Sequence, residues 1–433
     1  MSGQNNTSAA AASEDPTGLA RIFRALRSRN YRLFFIGQGI SLIGTWMQQV
    51  AMSWLVYSLT NSAFLLGVVS FSGLICNFVV APFAGVFVDR LNRHRILLVT
   101  QSLAMVQALI LATVVLTGQA AVWNLIVLSM ALGTINALDM PTRQSFVVEM
   151  VEDREDLSNA IALNSSLFNS ARLIGPTVAG ILVATIGEGL CFLINGLSFI
   201  AVIACLLAMT LTPKGPSIQH SDFVKGMKEG ISYSFGFLPI RYIVLLLTYS
   251  SLVAMPYAIL LPVFAKDVLH GGASTLGFLT TGVGTGALVG AIYMASRKNV
   301  LGLGKIIVWA SFLFGLGLIL VSFTSVLWLS MLTMSLAGFG MVSMMASCNT
   351  FLQSMADDDK RGRVMSFYVM AFLGLSPFGS LLYGGLANTI GTPLTFLIGG
   401  ALCIVGAAVF AWKFSSIRGQ VHEAYVKKGI LTK

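Results

Sequence analysis

Two charged residues stand inside long apolar stretches, Asp139 in NALDMPTR and Arg172 in NSARLIGP. A carboxyl group in such a setting can take up and release a proton as its surroundings change. A guanidinium there demands an anion, supplied by a carboxylate of the chain or by a ligand. Ser165, Asn169 and Arg172 share one helical face. Asp139 is therefore the candidate for proton coupling, and the pair that the sequence suggests is Asp139 with Arg172. The other reading of Asp139 is an N-cap for a short helix starting at Pro141. Arg143 lies beyond that proline.

Uncharged chemistry is patterned too. Gln38, Ser41, Thr45, Gln48 and Met52 recur every three or four residues, which puts a polar face on an otherwise apolar helix. That face either lines a cavity or makes hydrogen bonds between helices. Met331, Met334, Met341, Met344 and Met345 cluster with Phe339. Methionine surfaces adapt to varied apolar shapes, although ordinary core filling explains them equally well. Gln38, Ser41, Thr45, Gln48, Met52, Asn169, Arg172, Met334 and Met341 are thus the candidate cavity residues. There is no phosphate loop, no metal-ligand spacing and no His, Ser and Asp grouping, so neither an enzyme nor a bound cofactor or metal is expected. The five cysteines all fall in apolar stretches and read as small apolar residues.

The elements that position these residues follow from composition. The 433 residues are 56% hydrophobic and 10% charged. A soluble domain carries about 25% charged residues, so this chain lacks the charge to cover a water-facing surface. A bilayer tolerates it, and ~20 apolar residues in a helix cross one. Twelve such runs are legible: 33–57, 63–88, 95–117, 121–140, 160–186, 189–211, 239–263, 274–296, 304–324, 326–349, 364–387 and 392–414. Each must be helical, because an isolated strand would leave backbone groups unpaired in lipid. The predicted fold is an all-α membrane protein of two six-helix bundles.

Charge sets the expected orientation. Lys and Arg flank the first run, recur in the 2–3, 6–7, 8–9 and 10–11 connections, and continue through Lys413 to Lys433; the opposite side has Lys266. Positive charge marks the cytoplasmic side, so both termini are expected there. The net charge of +10 needs no nucleic acid; anionic lipid at that face suffices. The expected partners are the lipid bilayer, a small substrate and protons, with the chain a monomer. The layout reads as a polar tail (1–30), a first bundle (31–212), a linker (213–238), a second bundle (239–415) and a C-terminal tail (416–433). Within the linker region, residues 222–235 look amphipathic and suited to a membrane surface.

The halves resemble each other. QSFVVEMVEDREDLSNA and TFLQSMADDDKRGRVMS occupy equivalent connections, each followed by a helix with a proline, Pro176 and Pro377. Paired bundles of this kind are used by transporters to build a site that opens alternately to each side. GVFVDRLNRHR, at residues 85–95, resembles the helix 2–3 signature of the major facilitator superfamily, with Asn92 and His94 as departures. The resemblance implies that Gly85, Asp89, Arg90 and Arg93 form a conformational latch; a plain helix-end charge is the alternative for Asp89. Gly175, Pro176 and Gly180 resemble the superfamily's antiporter signature, with Ala179 replacing a glycine. Close helix packing alone would also use small residues there. FRALRSRNYRLFFIGQGISLIGTWMQQVAMSWLVYSLTNSAFLLG and SARLIGPTVAG are similar to the enterobactin-exporter and macrolide-efflux branch. That similarity implies export of amphiphilic small molecules by proton antiport at a bacterial inner membrane. Import of a metabolite, or a transport-inactive sensor or scaffold, are the competing expectations.

Overall fold

The computed structural model describes residues 23–151, 153–210, 233, 235–297, 299–357 and 360–428, without the side chains of residues 85, 86, 89, 90 and 154. Among these residues the chain is a bundle of helices. Ten are long and apolar enough to cross a membrane by themselves. Two further crossings complete twelve. Helix α1 (Arg29–Thr60) is long enough, but its polar face lowers its mean hydropathy. The continuous helix Leu157–Leu207 has 51 residues. At 1.5 Å per residue it would measure roughly 77 Å, far beyond the ~30 Å of a hydrocarbon core. It turns at Gly187, whose φ of 81° suits a residue without Cβ. Residues 157–186 are therefore α5 and residues 188–207 are α6.

The remaining crossings are α2 (Ala63–Arg90), α3 (Arg93–Leu116), α4 (Val122–Met150), α7 (Leu238–Val268), α8 (Ala273–Ala295), α9 (Leu303–Ser322), α10 (Leu327–Met355), α11 (Arg361–Ile390) and α12 (Thr392–Ser416). Twelve crossings put Arg29 and Ser416 on one side, here termed the basic face. Helix α4 corrects the expected boundary near residue 140. It continues through Pro141 to Met150, so no new helix begins there. Proline is tolerated inside a membrane helix when neighbours satisfy the freed carbonyl. The expected C-terminal tail holds a further helix, α13 (Arg418–Lys427), with Val421 and Tyr425 buried. Nearly all of the proposed linker and amphipathic segment lies outside the described residues.

Two helices of the second half are broken at one depth. In α7, Leu238–Val253 gives way to a 3-10 turn, Met255–Leu260, containing Pro256. In α11, Arg361–Gly374 and Ser376–Ile390 meet at Leu375, just before Pro377. Side chains of one helix satisfy carbonyls near the break of the other. Ser251 Oγ donates to Phe372 O at 2.8 Å, and Tyr383 Oη donates to Val253 O at 2.5 Å.

The apolar core is distributed unevenly. Toward the face opposite the termini, a single cluster draws on both halves and includes Met47, Val56, Leu66, Ala179, Tyr257, Leu276 and Met334. Toward the basic face each half has its own core. One gathers Tyr31, Leu97, Phe146 and Ala160, and the other Ile243, Ile307, Phe351 and Val364. The halves are thus fused at one end and separately packed at the other.

Candidate functional site

Asp139 is 2% exposed and sits in the interior of the first half. Its partner is Arg143, one turn further along α4, whose Nη2 donates to Oδ2. The other carboxylate oxygen, Oδ1, accepts from Thr100 Oγ1 at 2.9 Å and from Gln101 Nε2 at 2.7 Å, both on α3. Gln38 of α1 closes the cluster. With its amide oxygen turned to the guanidinium, it accepts from Arg143 Nη1 at 2.5 Å and Nε at 3.3 Å. All five residues lie roughly 10–16 Å from the basic ends of their helices, at 1.5 Å per residue. Two expectations are corrected here. Asp139 is not an N-cap, because α4 is unbroken around it. Nor does it pair with Arg172, because Arg143 takes that place. Thr100 and Gln101 were missed, although TQSLAMVQ places polar groups on one face of an apolar run.

The polar face of α1 also turns inward within its own half. Gln38, Ser41 and Gln48 are buried. Gln48 Nε2 donates to Gln107 Oε1 at 3.1 Å, and Asn195 Nδ2 donates to Gln48 Oε1 at 2.6 Å, which ties α1 to α3 and α6. Hydrogen bonds to neighbouring helices account for Gln38 and Gln48 in this state, the second of the two readings the sequence left open, and Ser41 is buried beside them. Thr45 is exposed, with its hydroxyl bonded to Ser41 O at 3.0 Å, and Met52 is half-buried. Met334 and Met341 are buried in the shared core, which answers for them as packing residues.

Arg172 lies at the middle of α5, fifteen residues from Leu157 and fifteen from Gly187. It is half-buried, and among the described residues it makes no hydrogen bond or ion pair. Asn169, one turn nearer the basic face, donates to Ser165 O at 2.9 Å. Beyond Arg172 the antiporter-like residues form part of the seam between the halves. A Cβ on Gly180 would lie 2.7 Å from Ala273 O, and one on Gly277 would lie 2.6 Å from Pro176 O. Gly175 packs on Trp46 of α1. The seam continues where Gly67 of α2 meets Ser380 and Gly384 of α11. At its rim, Tyr57 Oη donates to Asp267, and Lys266 Nζ donates to Asn61 Oδ1 at 2.7 Å.

At the basic face, Arg93 Nη1 donates to Glu149 Oε1 at 2.6 Å, which joins α3 to α4. Asn92 caps α3 by accepting from Arg95 N at 3.2 Å, with an ordinary negative φ. The side chains of Asp89 and Arg90 lie outside the described residues, as does that of position 85. Arg24 bonds Asp156 and Glu155, and these hydrogen bonds hold its guanidinium pKa above the usual arginine value.

Residues 20–423 match the family described as transmembrane secretion effector, MFS_3. The chain belongs to that major facilitator family. This transporter is 26% identical to the staphyloferrin A transporter of Staphylococcus aureus (strain NCTC 8325 / PS 47), over 88% of its own length and 95% of that protein's. It is 23% identical to the multidrug efflux pump Tap of Mycolicibacterium fortuitum, over 83% and 88% of the two chains. Macrolide efflux protein A of Streptococcus pyogenes is 24% identical, over 88% and 96%. Among solved structures, a bacterial homologue of the iron transporter ferroportin, inward-facing, aligns with a TM-score of 0.68 at 17% identity, over 92% of this chain and 99% of that one. A bacterial homologue of the human lysosomal transporter Spinster, inward-facing and unoccupied, aligns at 0.68 and 12% identity, over 89% and 96%. These likenesses show the fold. The transporter is a multi-pass membrane protein of the major facilitator efflux type.

Proposed function

We propose that this transporter exports amphiphilic small molecules, of drug, macrolide or siderophore-like class, in exchange for protons. The basic face is the cytoplasmic face of a bacterial inner membrane, and the chain works as a monomer. The observation that carries this reading is the uneven core, shared at the far face and divided at the basic face. A chain closed outside and parted inside is one end state of alternating access, and in an exporter that state receives substrate from the cytoplasm. Export requires the outer seam to open and the basic ends to close over the emptied site.

The Asp139 cluster supports coupling. Ionised, the carboxylate has three donors and neutralises Arg143. Protonated, it loses that charge pairing and needs an acceptor for its own O–H. Gln101 Oε1 is buried without a partner among the described residues. A flip of the Gln101 amide brings that oxygen to the carboxylic acid, so both protonation states find hydrogen bonds. Arg143, relieved of Asp139, keeps Gln38 of α1 as its anchor, and a proton on α4 thereby alters the tie between α4 and α1. The latch residues Gly85, Asp89, Arg90 and Arg93 hold the basic ends together in the alternate state, and Gly175, Pro176 and Gly180 keep the outer seam tight in this one.

The test is accumulation of amphiphilic dyes and macrolides by everted membrane vesicles. Accumulation that an uncoupler abolishes, and that is lost in Asp139→Asn, is the expected result. Accumulation indifferent to the uncoupler would contradict proton antiport, and accumulation only in right-side-out vesicles would make the transporter an importer.

A further inference from the structure

The exporter reading leaves the substrate's charge open, and Arg172 bears on it. Charges within membrane helices are neutralised by neighbours wherever the fold provides them, and Arg143 follows that rule with Asp139 and Gln38. Arg172 departs from it. It stands at the middle of α5, half-buried, with no bonding partner among the described residues. Its flanking residues fix its place. Leu173 packs on Gly284 of α8, Gly175 on Trp46 of α1, and Gly180 on Gly277 of α8. Arg172 is therefore at the seam, where the α5 backbone meets Gly284 of α8 in the second half.

The surroundings suit an amphiphile. Toward the basic face, Asn169 and Ser165 continue a polar strip along α5. Beside it, Trp46 and Phe168 pack edge to face with ring centroids 6.2 Å apart, and Phe168 is 38% exposed. A polar strip ending in a guanidinium, next to an accessible aromatic wall, matches a molecule with an apolar body and one anionic end. The carboxylate deepest in the same half, Asp139, is already occupied by Arg143 and leaves no matching attraction for a cationic amphiphile.

We infer that Arg172 is the receptor for an oxyanion of the substrate, and that the transporter selects amphiphiles bearing a carboxylate over neutral and cationic ones. This rests on the proposed export function for its physiological meaning, but not for its test. The planar fork of arginine can take both oxygens of a carboxylate at once, which lysine cannot reproduce.

Binding and transport are read separately, using dansyl-undecanoic acid, its primary amide and its trimethylammonium analogue. Binding to the purified protein is followed by dansyl fluorescence, and transport by uptake into everted vesicles. The wild type is expected to bind the carboxylate roughly tenfold or more tightly than the amide, the range of a charge-assisted hydrogen bond. Arg172→Gln should erase that preference by weakening the carboxylate far more than the amide, and Arg172→Lys should restore part of it. Equal weakening for all three probes in Arg172→Gln, or wild-type affinity for the trimethylammonium probe matching that for the carboxylate, would overturn the assignment. Selective carboxylate binding without uptake would sustain the Arg172 assignment and sink the exporter reading instead.

Discussion

At the residue scale, the Asp139–Arg143 pair is the charged centre of the first half. Breaking a buried pair by removing one partner leaves the other charge uncompensated, typically at about 3–5 kcal/mol. Arg143→Gln should therefore lower thermal stability in detergent, because it strands Asp139, which is 2% exposed. Asp139→Asn with Arg143→Gln should lose much less than the sum of the two single variants, as a double-mutant cycle on thermal unfolding will read. Additive losses would mean that the two side chains do not interact. That Asp139 matters was legible in the sequence, since a carboxylate amid apolar residues needs a reason. Its partner was not. Pro141 suggested a helix end, and only the continuity of α4 places Arg143 one turn below Asp139. Arg172 was legible as an oddity for the same reason as Asp139, yet its lack of a partner emerges only from the packing of α5 against α8.

At the element scale, the seam is a set of close backbone approaches. Gly180→Ala puts a Cβ 2.7 Å from Ala273 O and 2.8 Å from the Gly277 Cα, distances that force α5 and α8 apart. The rings of Phe71 and Phe378, with centroids 5.8 Å apart, report closure of the same seam between α2 and α11. In a background without the five native cysteines, a Phe71→Cys, Phe378→Cys pair should cross-link readily, and Gly180→Ala should reduce that yield. An unchanged yield would mean that α5 and α8 do not govern closure. At the rim, Tyr57→Phe removes the bond to Asp267. A hydrogen bond to a charged group contributes about 1.5–3 kcal/mol, so the ratio of closed to open states should fall roughly tenfold or more, measured as faster labelling of the Lys266→Cys variant by an impermeant maleimide from the outer side. The number of crossings was legible from run length alone. The hydrogen bonds made by the polar face of α1 were not, because period alone cannot tell a face that lines a cavity from one that bonds its neighbours. Gln48, Gln107 and Asn195 take the second course.

At the scale of the whole molecule, the two-bundle plan was readable from twelve apolar runs and the repeated acidic connections. The conformation was not, since it depends on which ends of the halves share a core. Separate basic-end cores and a common core opposite describe one state of a two-state machine. The proposed orientation can be tested directly. Cysteine at Ser296, between α8 and α9, should be labelled only from the cytoplasm, and cysteine at Lys266 only from outside. The reverse pattern would invert the orientation and with it the direction of transport.

The most direct test is proton exchange in a defined system. The purified transporter would be reconstituted in liposomes with a pH-sensitive dye inside, and an amphiphile shown to be transported in the vesicle assay would be driven through it by its own concentration gradient. Proton movement opposite to substrate movement is expected, abolished by Asp139→Asn while the substrate still binds. Substrate flux with no proton movement, or proton flux unaltered in Asp139→Asn, would contradict the claim that a buried carboxylate on α4 couples the two.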